Sequence, residues 1–375
     1  MLNKIAGQGV VTSYPDHDVY MKTVHFGSLN GLRFLCILAV LWHHAPVWAQ
    51  ISDAPVLLKR GFLGVDFFFV LSGFLITTLL LREECRNGYF SLKGFYWRRA
   101  LRIIPVYFLV VTAVSFYYIV IKGQTELLEK LPFYYIFLAN FLKVDIPLLS
   151  PTWSLSVEEQ YYMVWPLLLL LIPRRFIVTV LIALIALNVV AVTGGLRVIG
   201  VSPIEVGPLV IKMFTATYAP ILIGSALAVF LNKKAGFAVL KRVLGYKSAA
   251  PASFGLLLVF MAVLPNDVAG WPNLVLHLTM ASCLASIVMR EDHLLHRAFR
   301  WWPIVRVGEI SYGIYLYHLI GLFVANSILS KIGWQGDWYT FVVYSLVSIG
   351  MAELSFRYYE TPFLNLRHRV PSSGT

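Results

Sequence analysis

The chain has 375 residues, of which 58% are hydrophobic and only 13% charged, and its mean hydropathy is +0.73. A soluble domain carries about a quarter charged residues, so this composition excludes water as the main solvent of the surface, and the length reads as one helical bundle rather than two soluble domains. The net charge of +12 does not signal a nucleic-acid partner, because most of the basic residues sit in short loops between apolar runs, where they orient a membrane protein.

Residues 1–27 are polar and lack the short apolar core and small-residue cleavage site of a signal peptide. Beyond them, apolar runs at roughly 28–50, 62–82, 101–122, 155–173, 176–194, 213–232, 249–265, 271–290, 311–331 and 339–359 tile the chain. Lipid accepts only helices or closed barrels, and these runs are too long for barrel strands. The expected fold is therefore an all-α integral membrane bundle of about ten transmembrane helices, with the membrane domain at 28–365 and a tail at 366–375. The apolar stretch 131–142 is too short to span and is expected to be re-entrant or interfacial. With the N-terminus inside, the inner segments hold 22 Lys and Arg and the outer segments 8. This bias predicts that both termini are cytoplasmic. Cys36, Cys85 and Cys283 show no metal or redox spacing, and no internal repeat of the transporter kind is visible.

Charged groups inside a span are costly and are usually functional or paired. Taken in chain order, the first span carries Arg33 at its inner end and His43 and His44 near its outer end. Arg33 and His44 are eleven residues apart, which places them on nearly one helix face about 16 Å apart along the axis, whereas His43 is expected to point elsewhere. The second span opens GFLGVDFFFVLSGFLIT (61–77), with Asp66 one turn in on the outer side, where it can orient a histidine on the neighbouring helix or simply suit the helix dipole. Ser72 and Gly73 near its middle allow close helix packing. In FYWRRALRIIPVY (95–107), Arg99 and Arg102 share a face at the inner start of the third span, as a phosphate clamp or as a topogenic cluster. PTWSLSVEEQYYMVWP (151–166) places Glu158 and Glu159 in the first turns of the fourth span, on the outer side. They point about 100° apart, so at most one is expected to face a given site. Beside Ser154 or Ser156, a carboxylate here could accept a proton or position a hydroxyl. His318, in GEISYGIYLYHL (308–319), reads as a packed histidine bonded to a hydroxyl in the inner half of the ninth span. Glu360 near Arg357 reads as an interfacial ion pair.

Taken together, GLRFLCILAVLWHH (31–44), GFLGVDFFFVLSGFLIT, RRALRIIPVY, TWSLSVEEQYY, GEISYGIYLYH and YYETPF occur in the order in which they stand in the acyltransferase-3 family, and the chain resembles that family over about residues 28–365. These are bacterial inner-membrane O-acyltransferases that modify surface polysaccharides and related glycans. The family's Arg–ten residues–His motif falls on Arg33 and His44, its Arg-x-x-Arg motif on Arg99 and Arg102, its GVD acid on Asp66 and its Glu pair on Glu158 and Glu159. The chain departs from the pattern at Asn30, often Asp in the family, and at Pro151, often His. Some members carry an extracytoplasmic esterase-like domain after the last span, which is expected here to come from another protein.

The resemblance implies an acyl-CoA donor, acetyl-CoA by default, from the cytoplasm and a glycan acceptor on the opposite side, with no metal and no permanently bound cofactor. Arg33, Arg99 and Arg102 would hold the donor. His44 would deprotonate the acceptor hydroxyl or transiently carry the acyl group. Asp66 would orient His44, and Glu158 or Glu159 would bind or polarise the acceptor. A rival reading, a transporter or flippase of a lipid-linked glycan, uses the same buried charges to line a permeation path.

Overall fold

The computed structural model describes residues 16–23, 25–49, 54–198, 200–211, 218–265, 270–334 and 336–368. They form an almost wholly helical bundle. The principal helices are α1 (Leu29–His43), α2 (Leu63–Asn87), α3 (Leu92–Phe116), α4 (Thr152–Leu171), α5 (Ile177–Val192), α6 (Tyr218–Asn232), α7 (Lys234–Leu244), α8 (Ala249–Val263), α9 (Trp271–Met289), α10 (Ser311–Lys331) and α11 (Asp337–Ser355). Strand pairing among the described residues includes a short antiparallel hairpin, Ile204–Val206 with Leu209–Ile211.

Each expected apolar run holds a helix, and the chain is a multi-pass membrane protein. By length and composition, five helical segments can cross a bilayer: α2, α3 extended to Ile121, α9, α10 and α11 extended to Asn365. A sixth is possible if α6 and α7, bent by 106° at their junction, count as one span. α1, α5 and α8 are apolar but shorter. α4 is long enough, but its polar opening, TWSLSVEEQ, lowers its hydropathy. The stretch 131–142 does not form a spanning helix; it breaks into the short helical turns Leu131–Tyr135 and Ala139–Phe141.

Local chemistry sets the boundaries that matter for the site. α2 ends where Gly88 takes φ +80°, a left-handed backbone that glycine adopts at no steric cost. α3 then starts at Leu92, because the Ser91 hydroxyl accepts the Gly94 N–H at 3.1 Å and caps the first turn. The third helix thus begins earlier than the apolar run suggests. Arg99 and Arg102 stand two to three turns inside it rather than at its start.

The core is built on α1 and α2. Leu32 and Cys36 of α1 pack into one apolar cluster with α2, α6 and α9, while Ile37, Val40 and Leu41 pack into a second with α3, α10 and α11. α1 is therefore the strut between two halves of the bundle. α2 and α6 pack backbone against backbone. A Cβ on Gly73 would overlap the Ile221 carbonyl oxygen, and one on Gly224 would overlap that of Val70. The small residue expected to permit close packing does so against α6.

Candidate active site

At the end of the bundle that carries Arg82, Arg98 and Arg300, α1, α2, α3, α4 and α10 enclose a cavity of about 600 Å³. Arg33, Arg99, Arg102, Ser72 and Glu158 line it, as does Asn30 at one of the departures from the family pattern. The guanidinium of Arg99 stands over the Tyr162 ring at 5.1 Å and the Phe95 ring at 5.9 Å. Arg33, Arg99 and Arg102 make no hydrogen bond or ion pair among the described residues, and Arg33 Nε is buried without a partner. Ser72 Oγ donates a 2.6 Å hydrogen bond to Glu158 Oε1, which fixes that carboxylate on the cavity wall. Of the other charged side chains on its wall, Arg82 is held by the Thr23 and Tyr20 carbonyls and Glu309 pairs with Arg306, so three unpaired guanidiniums share the cavity with the carboxylate of Glu158. A desolvated pocket with this surplus is built to receive an anion with several oxygens, because an unpaired buried cation costs several kcal/mol.

A second cavity, of about 420 Å³, lies on the other side of Val65 and Tyr315, the two residues that line both. His43, His44, Asp66, Trp153, Phe62, Asn273 and Pro151 are among its walls. His44 is the capping residue of α1, with φ −94° and ψ 9°. Its Nδ1 donates to the Val40 carbonyl at 3.1 Å, and its ring packs against His318 at 4.7 Å. A carbonyl oxygen can only accept, so Nδ1 carries the hydrogen and the neutral ring keeps its lone pair on Nε2. His44 thereby presents a free base in a cavity-lining side chain.

The structure corrects the expectations for Asp66, Glu158, His43 and Glu360. Asp66 does not hold His44; its Oδ2 pairs with Nε2 of His277 on α9 at 3.1 Å. Glu158 sits with the arginines rather than beside His44, because α4 presents its second turn to the α1–α3 cavity. Glu159 lines neither cavity, in keeping with the expectation that at most one of the two glutamates faces a given site. His43 does not point away from the groove; α1 ends at His43, so the 100° rule no longer separates the two rings, which lie 4.9 Å apart and share one cavity. Glu360 accepts from Ser355 at 3.0 Å, while Arg357 turns to Glu353 at 3.4 Å.

His318 is not bonded to a hydroxyl either. Its Nδ1 donates to the Tyr315 carbonyl at 2.6 Å, and its Nε2 is buried and unpartnered. Ser154 is tied to the Tyr315 hydroxyl at 2.6 Å, and Ser156 to the Thr152 carbonyl at 3.1 Å. His277 is the residue that sequence reasoning missed. The one signal that could have found it was a histidine two turns into an otherwise apolar span.

The profile of the acyltransferase domain family matches residues 26–353. The chain is 30% identical over 363 residues to the peptidoglycan O-acetyltransferase OatA of Listeria monocytogenes, covering 89% of this chain and 55% of that protein. It is 28% identical over 372 residues to the putative peptidoglycan O-acetyltransferase YrhL of Bacillus subtilis (92% and 56% covered). It is 27% identical over 380 residues to a putative O-acetyltransferase of Staphylococcus aureus (92% and 58%). The chain spans little more than half the length of these relatives. No solved structure matches it.

Proposed function

The chain belongs to the acyltransferase family, and from that premise we propose that it is a membrane O-acyltransferase moving an acyl group, most simply acetyl, from acyl-CoA to a hydroxyl of a cell-surface glycan. The names of its relatives make peptidoglycan the first acceptor to test. The observation that carries the reading is the pair of adjoining cavities. One holds three guanidiniums without an anionic partner, the other holds a free imidazole base, and Val65 and Tyr315 form the wall between them.

In this reading the phosphates of CoA dock on Arg33, Arg99 and Arg102, and the pantetheine arm passes between Val65 and Tyr315. Eleven residues of α1 separate Arg33 from His44, about 16 Å, a distance that a thioester on such an arm spans. His44 Nε2 takes the proton from the acceptor hydroxyl as its oxygen attacks the thioester carbonyl. The C–O bond forms, the C–S bond breaks, and the proton passes to the departing thiolate. The arginine end carries the loop basic residues and is assigned to the cytoplasm. Ten crossings with both termini inside a bacterial inner membrane complete the topology.

The test is mass spectrometry of cell-wall glycans from cells with the intact gene, without it, and with His44→Ala or His43→Ala at matched protein levels. The gene adds one acyl mass. His44→Ala lowers acylation about 10²–10⁴-fold, the usual cost of a lost general base. His43→Ala, whose exposed ring makes no hydrogen bond among the described residues, stays within about tenfold. Full acylation by His44→Ala refutes the assignment.

A further inference from the structure

The histidine-lined cavity has further polar lining, Asp66 and Asn273, that the scheme above leaves unused. Asp66 lies in the first turn of α2, where the helix dipole favours a negative charge. Its Oδ2 meets His277 Nε2 at 3.1 Å, and the two side chains are 13% and 1% exposed. A carboxylate only accepts, so Nε2 carries the hydrogen. His277 Nδ1 is buried and has no partner among the described residues. An unpaired buried nitrogen costs about 1–3 kcal/mol relative to an apolar side chain of similar shape. Packing alone therefore gives a poor account of a histidine here. What the ring achieves is the fixation of Asp66: it occupies one carboxylate oxygen with a directed N–H and leaves the other, Oδ1, without a hydrogen bond from any described residue, on a side chain that lines the cavity. Asn273, one turn earlier on α9 than His277, lines the same cavity as Asp66.

We infer that His277 is a positioning residue that aims Asp66 at the acceptor, so that the free carboxylate oxygen receives a hydroxyl of the glycan while His44 works from the same cavity. The inference rests on the acyl-transfer reading and deepens it. The acceptor is a polyhydroxylated molecule gripped by a carboxylate acceptor and an amide, in a cavity that Trp153 also lines. The arginine cavity takes no part, since neither Asp66 nor His277 lines it. A defect at His277 must then fall on acceptor use and spare donor use. That separation is what a general packing role would not produce.

The experiment uses the full chain in lipid vesicles, labelled acetyl-CoA, and oligosaccharides released from cell-wall glycan. His277→Leu keeps the volume and removes the N–H; His277→Gln restores an N–H donor of similar reach. His277→Leu raises KM for the oligosaccharide roughly tenfold or more, with KM for acetyl-CoA and the thermal stabilisation by CoA unchanged. His277→Gln recovers most of the loss. The inference is overturned if His277→Leu leaves the oligosaccharide KM unchanged, if it raises both KM values and weakens CoA stabilisation together, or if His277→Gln is as impaired as His277→Leu. Absence of transfer by the wild-type protein would remove the acyltransferase reading itself, and the inference with it.

Discussion

Arg33, Arg99 and Arg102 repel one another across a cavity whose carboxylates, Glu158 and Glu309, make no ion pair with any of the three. Two like charges separated by several ångströms at a partly desolvated site cost on the order of 1 kcal/mol. The apo protein pays that cost and recovers it when an anion binds. Arg99→Ala and Arg102→Ala should therefore leave the ligand-free melting temperature unchanged or slightly raised, while the stabilisation by CoA shrinks. A drop in the ligand-free melting temperature with CoA stabilisation intact would make the arginines ordinary structural cations. This arrangement was partly legible in the sequence, because Arg33 and His44 lie on one helix and Arg99 and Arg102 on another, where 3.6-residue periodicity fixes relative direction. Two kinds of information were not legible. Where α1 stops decides the direction of His43, and periodicity is silent beyond a helix end. Contacts across the chain, such as Asp66 with His277 over 211 positions, leave no local trace.

Helices α2 and α6 approach so closely that backbone meets backbone. Gly73 and Gly224 face the carbonyls of Ile221 and Val70, and the Ser225 hydroxyl donates to the Gly73 carbonyl at 3.0 Å. The same serine accepts from Thr77 at 2.9 Å and shares a hydrogen bond with Tyr161, which ties α4 to the pair. Rigid carbonyls cannot yield to a new methyl group, so Gly73→Ala or Gly224→Ala must push the helices apart, at a cost of about 1–3 kcal/mol or more. The yield of folded, monodisperse protein in detergent should fall in both variants, whereas Gly350→Ala, whose Cβ would meet nothing within contact range, should behave as wild type. Equal yields for all three would show that the α2–α6 contact does not limit stability. At this scale the sequence was most informative, since lipid admits only apolar helices and each apolar run became one. It was least informative about crossings, because α1, α5 and α8 are apolar yet short, and only tertiary placement decides what a short helix does.

Across the whole molecule, α1 joins two core clusters and carries one cavity at its start and another at its end. On the acyl-transfer proposal, this arrangement would separate the two substrates by side. In the proposed reading, charged acyl-CoA reaches only the arginine end and the glycan only the histidine end. Sealed membrane vesicles test this directly. The protein is placed in inside-out and right-side-out vesicles with glycan on both faces, and labelled acetyl-CoA is added to the medium alone. The account predicts acylated glycan only in inside-out vesicles, formed inside the lumen, with the signal lost in His44→Ala. Equal acylation in both orientations, or label found only on glycan in the same compartment as the acetyl-CoA, would contradict a donor and an acceptor that meet from opposite sides.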